Sequence, residues 1–306
     1  MYLSVLVPLD RSSFAEQALP LASSIARRAN ARLDLVEVHA LYALEDPHAG
    51  WAPFEADRDA QCKQQEQLYL DATARLTTCV SAVVATAGVL SGSAVLPETV
   101  ADSILERART GKADLIVMAT HGRGPLSRFG FGSVADQLIR RAPMPVLLVR
   151  PSEKPARTTP EPVLENILIP LDGSKLAEQV LEPAAELAQL MEARLSLLRV
   201  VEFRSSSGDR GAASLPDRSE QERYLERVAA RLREQGLQVG TRVVVARHAA
   251  EAILEEARVH GADLIALATH GRGGLKRLLL GSVADRLIRG AALPILVYRP
   301  TGKDLS

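Results

Sequence analysis

Two stretches of the chain place glycine, histidine and serine at a spacing that suits phosphate binding. The first reads ATHGRGPLSRFGFGSVAD from Ala119, and the second reads ATHGRGGLKRLLLGSVAD from Ala268. In each, a glycine is followed by nine residues and then by a Gly-Ser pair, Gly132-Ser133 or Gly281-Ser282. A helix is predicted to begin at each pair. Its first N–H groups could therefore face an anion, and glycine would let a phosphate approach the backbone closely.

The same residues also have a purely structural interpretation. Ser133-Val-Ala-Asp136 and Ser282-Val-Ala-Asp285 match the S-x-x-[DE] capping box, in which side chains satisfy the first N–H groups of a helix without any ligand. The chain contains no GxxxxGK[ST] loop, and these stretches lack the GxGxxG of dinucleotide-binding proteins. The local motif thus leaves phosphate binding and helix capping equally open.

Asp10 and Asp172 end the apolar runs VLVPLD and ILIPLD, where an aspartate can contact a ligand or cap the next helix. His121 and His270 could titrate near neutral pH, but no base or nucleophile partner is visible in the sequence. We therefore expect these histidines to form hydrogen bonds or shape their loops. We predict no catalytic residue and no protein-ligated metal site, so any metal would be a divalent ion carried by nucleotide phosphates.

The chain repeats itself, and the repeat shows which elements must position these residues. The block from Ala113 recurs from Ala262, a shift of 149 positions, whereas the segment from Val5 recurs from Ile167, a shift of 162. The first copy therefore carries 13 extra residues in its middle. The Pro-rich, charged segment 151–163 is predicted to be a linker between domains at 1–150 and 164–306.

Within each copy, short apolar runs alternate with helical periodicity. In the first copy, strands are predicted near 3–9, 33–39, 92–97, 114–119 and 145–149, and helices near 13–29, 58–82, 98–110 and 133–142. Strands that are apolar on both faces and joined by helices predict an α/β fold, a five-stranded parallel sheet flanked by helices in each copy. Ligands of such sheets bind beyond the carboxyl ends of the strands, where the strand order reverses.

Composition narrows the function classes. The chain has 37 Lys and Arg residues and 37 Asp and Glu residues, so its formal net charge is zero. It therefore has no net positive charge to attract nucleic acid or an anionic membrane. No apolar run approaches the roughly 20 residues that span a bilayer, and no signal peptide pattern opens the chain. We expect a cytoplasmic protein that binds neither nucleic acid nor membrane.

The G-x(9)-G-S spacing in the last third of an α/β domain, together with the Pro-x-Asp that ends strand one, resembles the ATP-binding signature of universal stress proteins. The resemblance covers both copies and implies two tandem Rossmann-like domains of the adenine nucleotide alpha hydrolase-like type, each binding ATP, with Mg²⁺ or Mn²⁺ held through the phosphates. ADP or AMP would be alternatives. It also implies a stress-associated sensing or regulatory role with at most slow hydrolysis.

Residue by residue, the resemblance implies that Asp10 and Asp172 contact the adenosine. The backbone at Ala40 and Val200, after strand two, would line the adenine. Met118 and Leu267 would pack against the base. The remaining predicted contacts surround ribose and phosphates: His121, Gly122, Gly132, Ser133 and Val134 in the first copy, and His270, Gly271, Gly281, Ser282 and Val283 in the second.

Ala119 and Ala268 stand where the family signature has its first glycine, so a methyl group enters each predicted crevice. The resemblance further implies that the last strands, from Pro145 and Pro294, pair with each other as an intrachain pseudo-dimer, or in a homodimer. Two other functions stay open. One is an interaction module without nucleotide, and the other is an enzyme of adenylate chemistry, for which no SGGxDS-type loop is found.

Overall fold

A computed structural model describes residues 2–40, 80–87, 97–120, 132–151, 162–203, 217–269 and 280–300. The chain forms two compact units, Met1–Pro162 and Val163–Ser306. Most of the predicted linker, residues 152–161, lies outside the described residues. No helix within the described ranges combines the length and the apolar composition that a membrane crossing needs.

The first unit alternates strands and helices, and all its described strand pairs are parallel. Its strands lie in the order β3-β2-β1-β4-β5, so the strand order reverses between β1 and β4. A short 3-10 helix, Ala15–Ala18, precedes α1. The elements are β1 (Ser4–Leu9), α1 (Leu19–Ala29), β2 (Arg32–Ala40), β3 (Val80–Ala87), α2 (Pro97–Thr110), β4 (Leu115–Ala119), α3 (Ser133–Arg141) and β5 (Val146–Val149).

The second unit has the same parallel order, β8-β7-β6-β9-β10. Its elements are β6 (Asn166–Pro170), α4 (Lys175–Glu178), α5 (Leu181–Met191), β7 (Arg194–Glu202), α6 (Arg218–Arg233), β8 (Val239–Ala246), α7 (Ala249–Val259), β9 (Leu264–Ala268), α8 (Ser282–Gly290) and β10 (Ile295–Tyr298). The predicted α/β class is confirmed.

The core lies on both faces of each sheet, as the apolar strand runs predict. Every residue of β1 and β4 is buried, and the apolar sides of the helices cover them, as with Ile25 of α1 and Leu138 of α3. In the second unit, Leu187 of α5 and Ile253 of α7 are buried in the same way. A sheet closed on both faces leaves the ends of its strands, and the loops that follow them, for ligand chemistry.

An aspartate before the fourth strand of each unit aligns that strand with the first. Asp114 Oδ2 accepts hydrogen bonds from the N–H groups of Leu3 (2.6 Å) and Ser4 (2.9 Å). Asp263 Oδ2 accepts from Glu165 and Asn166, both at 2.9 Å. These charge-assisted bonds set the relative position of the two strands whose carboxyl ends carry the candidate site.

The third strand of the first unit differs from the prediction. It is Val80–Ala87, paired with β2 from Leu33↔Val80 to Ala40↔Ala87, so the predicted helix 58–82 is wrong at its end. The apolar, β-branched run 80–87 competes with 92–97 for the same edge of β2, and periodicity cannot choose between two such runs. Residues 92–96 lie outside the described residues, and Pro97 belongs to α2.

Candidate functional site

Each unit carries the same hydrogen-bonded turn directly after its first strand. Asp10 Oδ1 accepts hydrogen bonds from the N–H (3.0 Å) and the hydroxyl (2.6 Å) of Ser12, whose Oγ in turn accepts from the N–H of Ala15 (3.0 Å). Asp172 and Ser174 repeat these contacts at 2.9 and 2.6 Å, with Ala177 donating at 3.1 Å. Ser174 is the N-cap of α4, whereas Ser12 makes the equivalent contact ahead of the 3-10 helix. In each unit the aspartate holds the serine in place.

The residue between aspartate and serine adopts a left-handed backbone, with φ of 63° at Arg11 and 80° at Gly173. Glycine accepts this conformation without strain, whereas arginine does not. The Arg11 guanidinium forms an ion pair with Glu37 of β2, whose side chain is only 7% exposed. The ion pair offsets part of the strain of the first turn.

The sequence reasoning missed this position on the second strand. Arg199 occupies the place of Glu37 in the second unit, where it donates to Gln221 Oε1 (2.8 Å) and to the carbonyl of Leu171 (3.2 Å). The carbonyl contact ties β7 to the end of β6, next to Asp172. A charged residue inside an otherwise apolar strand, as in LVEV and LLRV, is the signal that would have revealed it.

The glycine-serine loop is closed at its base in both units. The N–H of Gly132 donates to the carbonyl of Thr120, and that of Gly281 donates to Thr269, both at 2.9 Å. Thr120 and Thr269 each donate their own N–H to the neighbouring last strand, again at 2.9 Å. The start of α3 or α8 is thereby held against the end of the fourth strand, at the edge where Asp10 or Asp172 follows the adjacent first strand.

The capping box that the sequence permits does not form. The N-cap residues are Gly132 and Gly281, and Ser133 and Ser282 are exposed at the first helical position. Asp136 pairs with Arg140 (2.8 Å) and Asp285 pairs with Arg289 (2.9 Å), each one helical turn further on. Among the described side chains, none caps either helix. The motif therefore does not serve the purely structural purpose that its sequence permits.

In the Gly-Ser-Val-Ala-Asp motif, the N–H of the aspartate makes the first hydrogen bond of the helix, to the carbonyl of the glycine. Asp136 donates to Gly132 (2.9 Å), and Asp285 donates to Gly281 (2.8 Å). The N–H groups of the three preceding residues lie ahead of this bond and have no acceptor within the helix. Val134 and Val283, the second of these three, are half-buried. Each unit thus presents a short run of backbone donors at the positive end of a helix dipole.

The predicted walls of the crevice lie at the ends of β4 and β9. Met118 and Leu267 are buried, at 7% and 3% exposure, and each precedes the alanine that ends its strand. Ala119 is also buried, whereas Ala268 is half-buried. The structure accommodates the methyl groups of both alanines within these strands.

Both adenine-lining backbone positions were predicted to follow strand two, and both lie within it. Ala40 is the last residue of β2, but Val200 lies inside β7, which continues to Glu202 because its pairing with β8 extends to Glu202↔Ala246. The counterpart of Ala40 is therefore Glu202, whose carboxylate accepts from the N–H of Ala249 (2.9 Å). The predicted contacts His121, Gly122, His270 and Gly271 lie outside the described residues.

Within the described residues, no group of three or more His, Cys, Asp or Glu side chains could hold a metal ion. The site of each unit therefore consists of an aspartate-serine turn, one buried wall residue and a helix start that no described side chain caps, gathered where the strand order reverses. Fold and site together define a Rossmann-like α/β domain whose candidate site lies at the carboxyl ends of the strands.

Comparison with known proteins identifies the family. The model of the Universal stress protein family matches residues 1–150 and 164–299, so the chain belongs to the universal stress protein family as a tandem member. A universal stress protein of Mycolicibacterium smegmatis is 28% identical over 310 residues, which cover 97% of each chain.

A universal stress protein of Mycobacterium tuberculosis is 30% identical over 202 residues, covering 62% of this chain and 63% of that protein. The chain thus matches less than two thirds of that relative's length. Among solved structures, a universal stress protein from Archaeoglobus fulgidus superimposes with a TM-score of 0.64 at 18% identity, covering 98% of this chain and 97% of that one. At this identity, the likeness shows the shared fold.

Proposed function

We propose that each unit binds an adenine nucleotide, ATP first and ADP or AMP as alternatives, at the carboxyl ends of its strands. The chain would act in the cytoplasm as a stress-associated sensor or regulator. The observation that carries the proposal is the start of α3 and of α8, which no side chain of the described residues caps. Three N–H groups without a helical acceptor, repeated in both units behind an N-cap glycine, form a cradle suited to phosphate.

The glycines at the two N-caps favour a ligand over an ordinary helix start. Ser, Thr, Asp or Asn is the usual N-cap and would satisfy these N–H groups, whereas glycine leaves them available. A Cβ on Gly281 would lie 3.3 Å from the carbonyl oxygen of Thr269, which is a tight contact. A side chain at this position would therefore pack closely against the end of β9.

The other described contacts support the same ligand. Asp10 and Asp172 follow the strand next to the cradle, where a carboxylate can accept hydrogen bonds from an adenosine. Met118 and Leu267 would contact the base from the neighbouring strand. The donors of the cradle suit a triphosphate, and a divalent ion would be held by the phosphates rather than by protein ligands.

Hydrolysis is expected to be slow at most. The chain has no Walker lysine, and no residue of the described site is placed as a base or a positioner of water. Binding without rapid turnover suits a protein whose output depends on whether nucleotide is present. The proposal includes a route for this signal: the last strands of the domains would pair, within one chain or in a homodimer.

The test is to denature freshly purified protein and to identify released nucleotide by chromatography and mass, quantified per chain. Protein stripped of nucleotide is then titrated with Mg-ATP. We expect adenine nucleotide in the wild type, less in Gly132→Asp and in Gly281→Asp, and none in the double variant. The single variants report the occupancy of each unit separately.

An empty wild type that also fails to bind Mg-ATP would contradict the proposal. The methyl groups of Ala119 and Ala268 would then have closed the crevices, and the interaction module would become the leading function. The variants Ala119→Gly and Ala268→Gly would check this directly, because glycine at these positions restores the family signature. Release of a product from a candidate substrate would instead favour adenylate chemistry.

A further inference from the structure

The second unit contains a cavity of about 410 Å³ at the edge of the sheet opposite the candidate nucleotide site. Its walls come from the amino-terminal halves of β6, β7 and β8 and from the last turn of α7. Its lining includes buried residues such as Asn166 and Leu168 and exposed ones such as Arg194 and Gln238, so the cavity runs from the interior to the surface. Its volume is in the range typical of small-molecule sites, roughly 300–1,000 Å³.

In the first unit, charged side chains fill the equivalent place. Asp34 of β2 is fully buried and pairs with Arg32 at 2.9 Å, and Arg107 of α2 lies 3.9 Å away. Arg32 also donates to Ser4 Oγ (3.1 Å) and to the carbonyl of Gly111 (2.6 Å). A Cβ on Gly111 would lie 2.9 Å from a backbone oxygen and 3.4 Å from Asp34, so this part of the first unit is closely packed.

In the second unit, four of these five residues are exchanged, and Arg32 keeps its type as Arg194. Asn166, Ser196 and Glu256 stand where the first unit has Ser4, Asp34 and Arg107, and His260 stands where it has Gly111. Ser196 lies opposite Gly240 on the neighbouring strand. A Cβ built on Gly240 has no heavy atom within 4 Å, so these two small residues open the space that the cavity occupies.

The polar floor of the cavity is only partly satisfied. Asn166 is buried and fully engaged, because it donates to the carbonyls of His260 (3.1 Å) and Gly261 (3.3 Å) and accepts from Ser196 (2.8 Å). Glu256 Oε2 is buried and has no hydrogen-bond partner. His260 Nε2 lies 3.1 Å and Arg242 Nε 3.4 Å from this oxygen, but neither donates to it in good geometry.

This oxygen lies in an ion pair with Arg242 and beside His260 but accepts no hydrogen bond, so it can still accept one from a ligand in the cavity. Arg194 and the half-exposed Arg242 lie on the lining as well and can bind a carboxylate in two-pronged geometry. Leu168 and Leu198 add a buried apolar wall. The cavity thus combines an acceptor, a pair of guanidinium groups and an apolar surface.

We propose that this cavity binds a small α-amino or α-hydroxy acid with an apolar side chain. The amino or hydroxyl group would donate to Glu256, the carboxylate would bind Arg242 and Arg194, and the side chain would pack on the leucines. The exchanged residues restrict this site to the second unit. It is separate from the nucleotide site and does not depend on the proposed function.

The test is calorimetric titration of the full chain with four matched compounds: L-leucine, its α-hydroxy analogue leucic acid, isocaproate, which lacks the donor, and isoamylamine, which lacks the carboxylate. We expect leucine or leucic acid to bind. Isocaproate and isoamylamine should each bind about tenfold more weakly or worse, since each loses a hydrogen bond to a charged group.

Two variants link binding to the cavity. Glu256→Gln should weaken binding about tenfold or more, whereas Glu255→Gln, on the adjacent exposed carboxylate of α7, should leave it unchanged. Gly240→Leu fills the open space and should abolish binding while keeping or raising Tm, because it also removes glycine from a strand. Val245→Leu, at the other end of β8, is its matched control, and nucleotide binding should be unchanged in all four variants.

The proposal fails if none of the four compounds binds the wild type, or if isocaproate binds as tightly as leucine. It also fails if Gly240→Leu binds as the wild type does. A higher Tm for Gly240→Leu in a protein that binds none of the compounds would identify the cavity as a packing void.

Discussion

The N-cap glycines of α3 and α8 allow a substitution that should separate nucleotide binding from stability. Gly132 has φ −64° and ψ 139°, and Gly281 has φ −62° and ψ 146°. Both conformations are open to any L-residue, so aspartate adds no backbone strain. Gly132→Asp and Gly281→Asp should therefore fold as the wild type does.

The stability change follows from three contributions. An aspartate N-cap is a few tenths of a kcal/mol better than glycine, and its charge at the helix start contributes about 0.3–1 kcal/mol more. Loss of glycine's freedom in the unfolded chain adds about 0.4–1 kcal/mol. The Cβ contact at 3.3 Å from the Thr269 oxygen opposes these gains. We expect a net gain of about 0.5–1 kcal/mol, which corresponds to a rise in Tm of about 1–4 °C.

Binding should change in the opposite direction. The new carboxylate would accept hydrogen bonds from the same N–H groups that would otherwise bind the phosphates. It would also repel the negatively charged phosphates, since two unit charges 4 Å apart interact by about 4 kcal/mol near a protein surface. We expect the affinity for Mg-ATP at the altered unit to fall about a hundredfold or more. The measurements are thermal unfolding of nucleotide-free protein and calorimetric titration of each single variant.

Gly132→Ala and Gly281→Ala are the matched controls, because they add the Cβ without the charge. We expect alanine to weaken binding much less than aspartate does. If aspartate lowers Tm by several degrees, the first N–H groups of these helices are not available to a capping side chain. If the aspartate variants bind Mg-ATP as the wild type does, the phosphates do not lie at these helices.

Three further predictions concern the parts of the fold that hold the sites. Asp263→Ala removes two charge-assisted bonds to the start of β6, and calorimetric or chemical unfolding should show a loss of about 2–4 kcal/mol; a loss below 0.5 kcal/mol would contradict the role of this carboxylate. Gly173→Ala places a methyl group at φ 80° and should cost about 1–2 kcal/mol, whereas the exposed Ser282→Ala serves as a control and should change stability little. Burial, with Asp114 nearby, raises the pKa of Tyr2 above its ordinary value of 10.0, and burial beside Glu178 raises that of Tyr224. The unfolded chain then releases these protons before the folded chain does, so the contribution of these two tyrosines to stability should be constant below about pH 10 and fall above it. Tyr224→Phe should reduce this alkaline loss in a series of unfolding curves, and an unchanged pH profile would refute the assignment.

Much of the site could be predicted from the sequence because it depends on local patterns. The constant shift between the two copies predicts two units, and the alternation of apolar runs with helical periodicity predicts a parallel α/β sheet in each. The place of Asp10 after β1 and of Gly132 before α3 follows from the order of the elements alone. The resemblance to the universal stress protein family rests on the same spacing of residues.

Other features could not be predicted because they depend on residues distant in the sequence. Whether Ser133 caps α3 depends on the backbone angles of Gly132, which are set by its bond to Thr120. The choice of 80–87 as the third strand depends on which run pairs with β2. Val200 was misplaced because the end of β7 is decided by its pairing with β8.

The sequence by itself determined the repeat, the fold class and the order of elements that gathers the candidate nucleotide site, since these follow from periodicity and spacing along the chain. Only the tertiary structure decided that the capping box stays open and that Ser196, Gly240 and Glu256 surround a cavity in one unit. Helix capping depends on backbone angles, and a cavity depends on how side chains from several elements pack together. A linear pattern of residue types specifies neither of these.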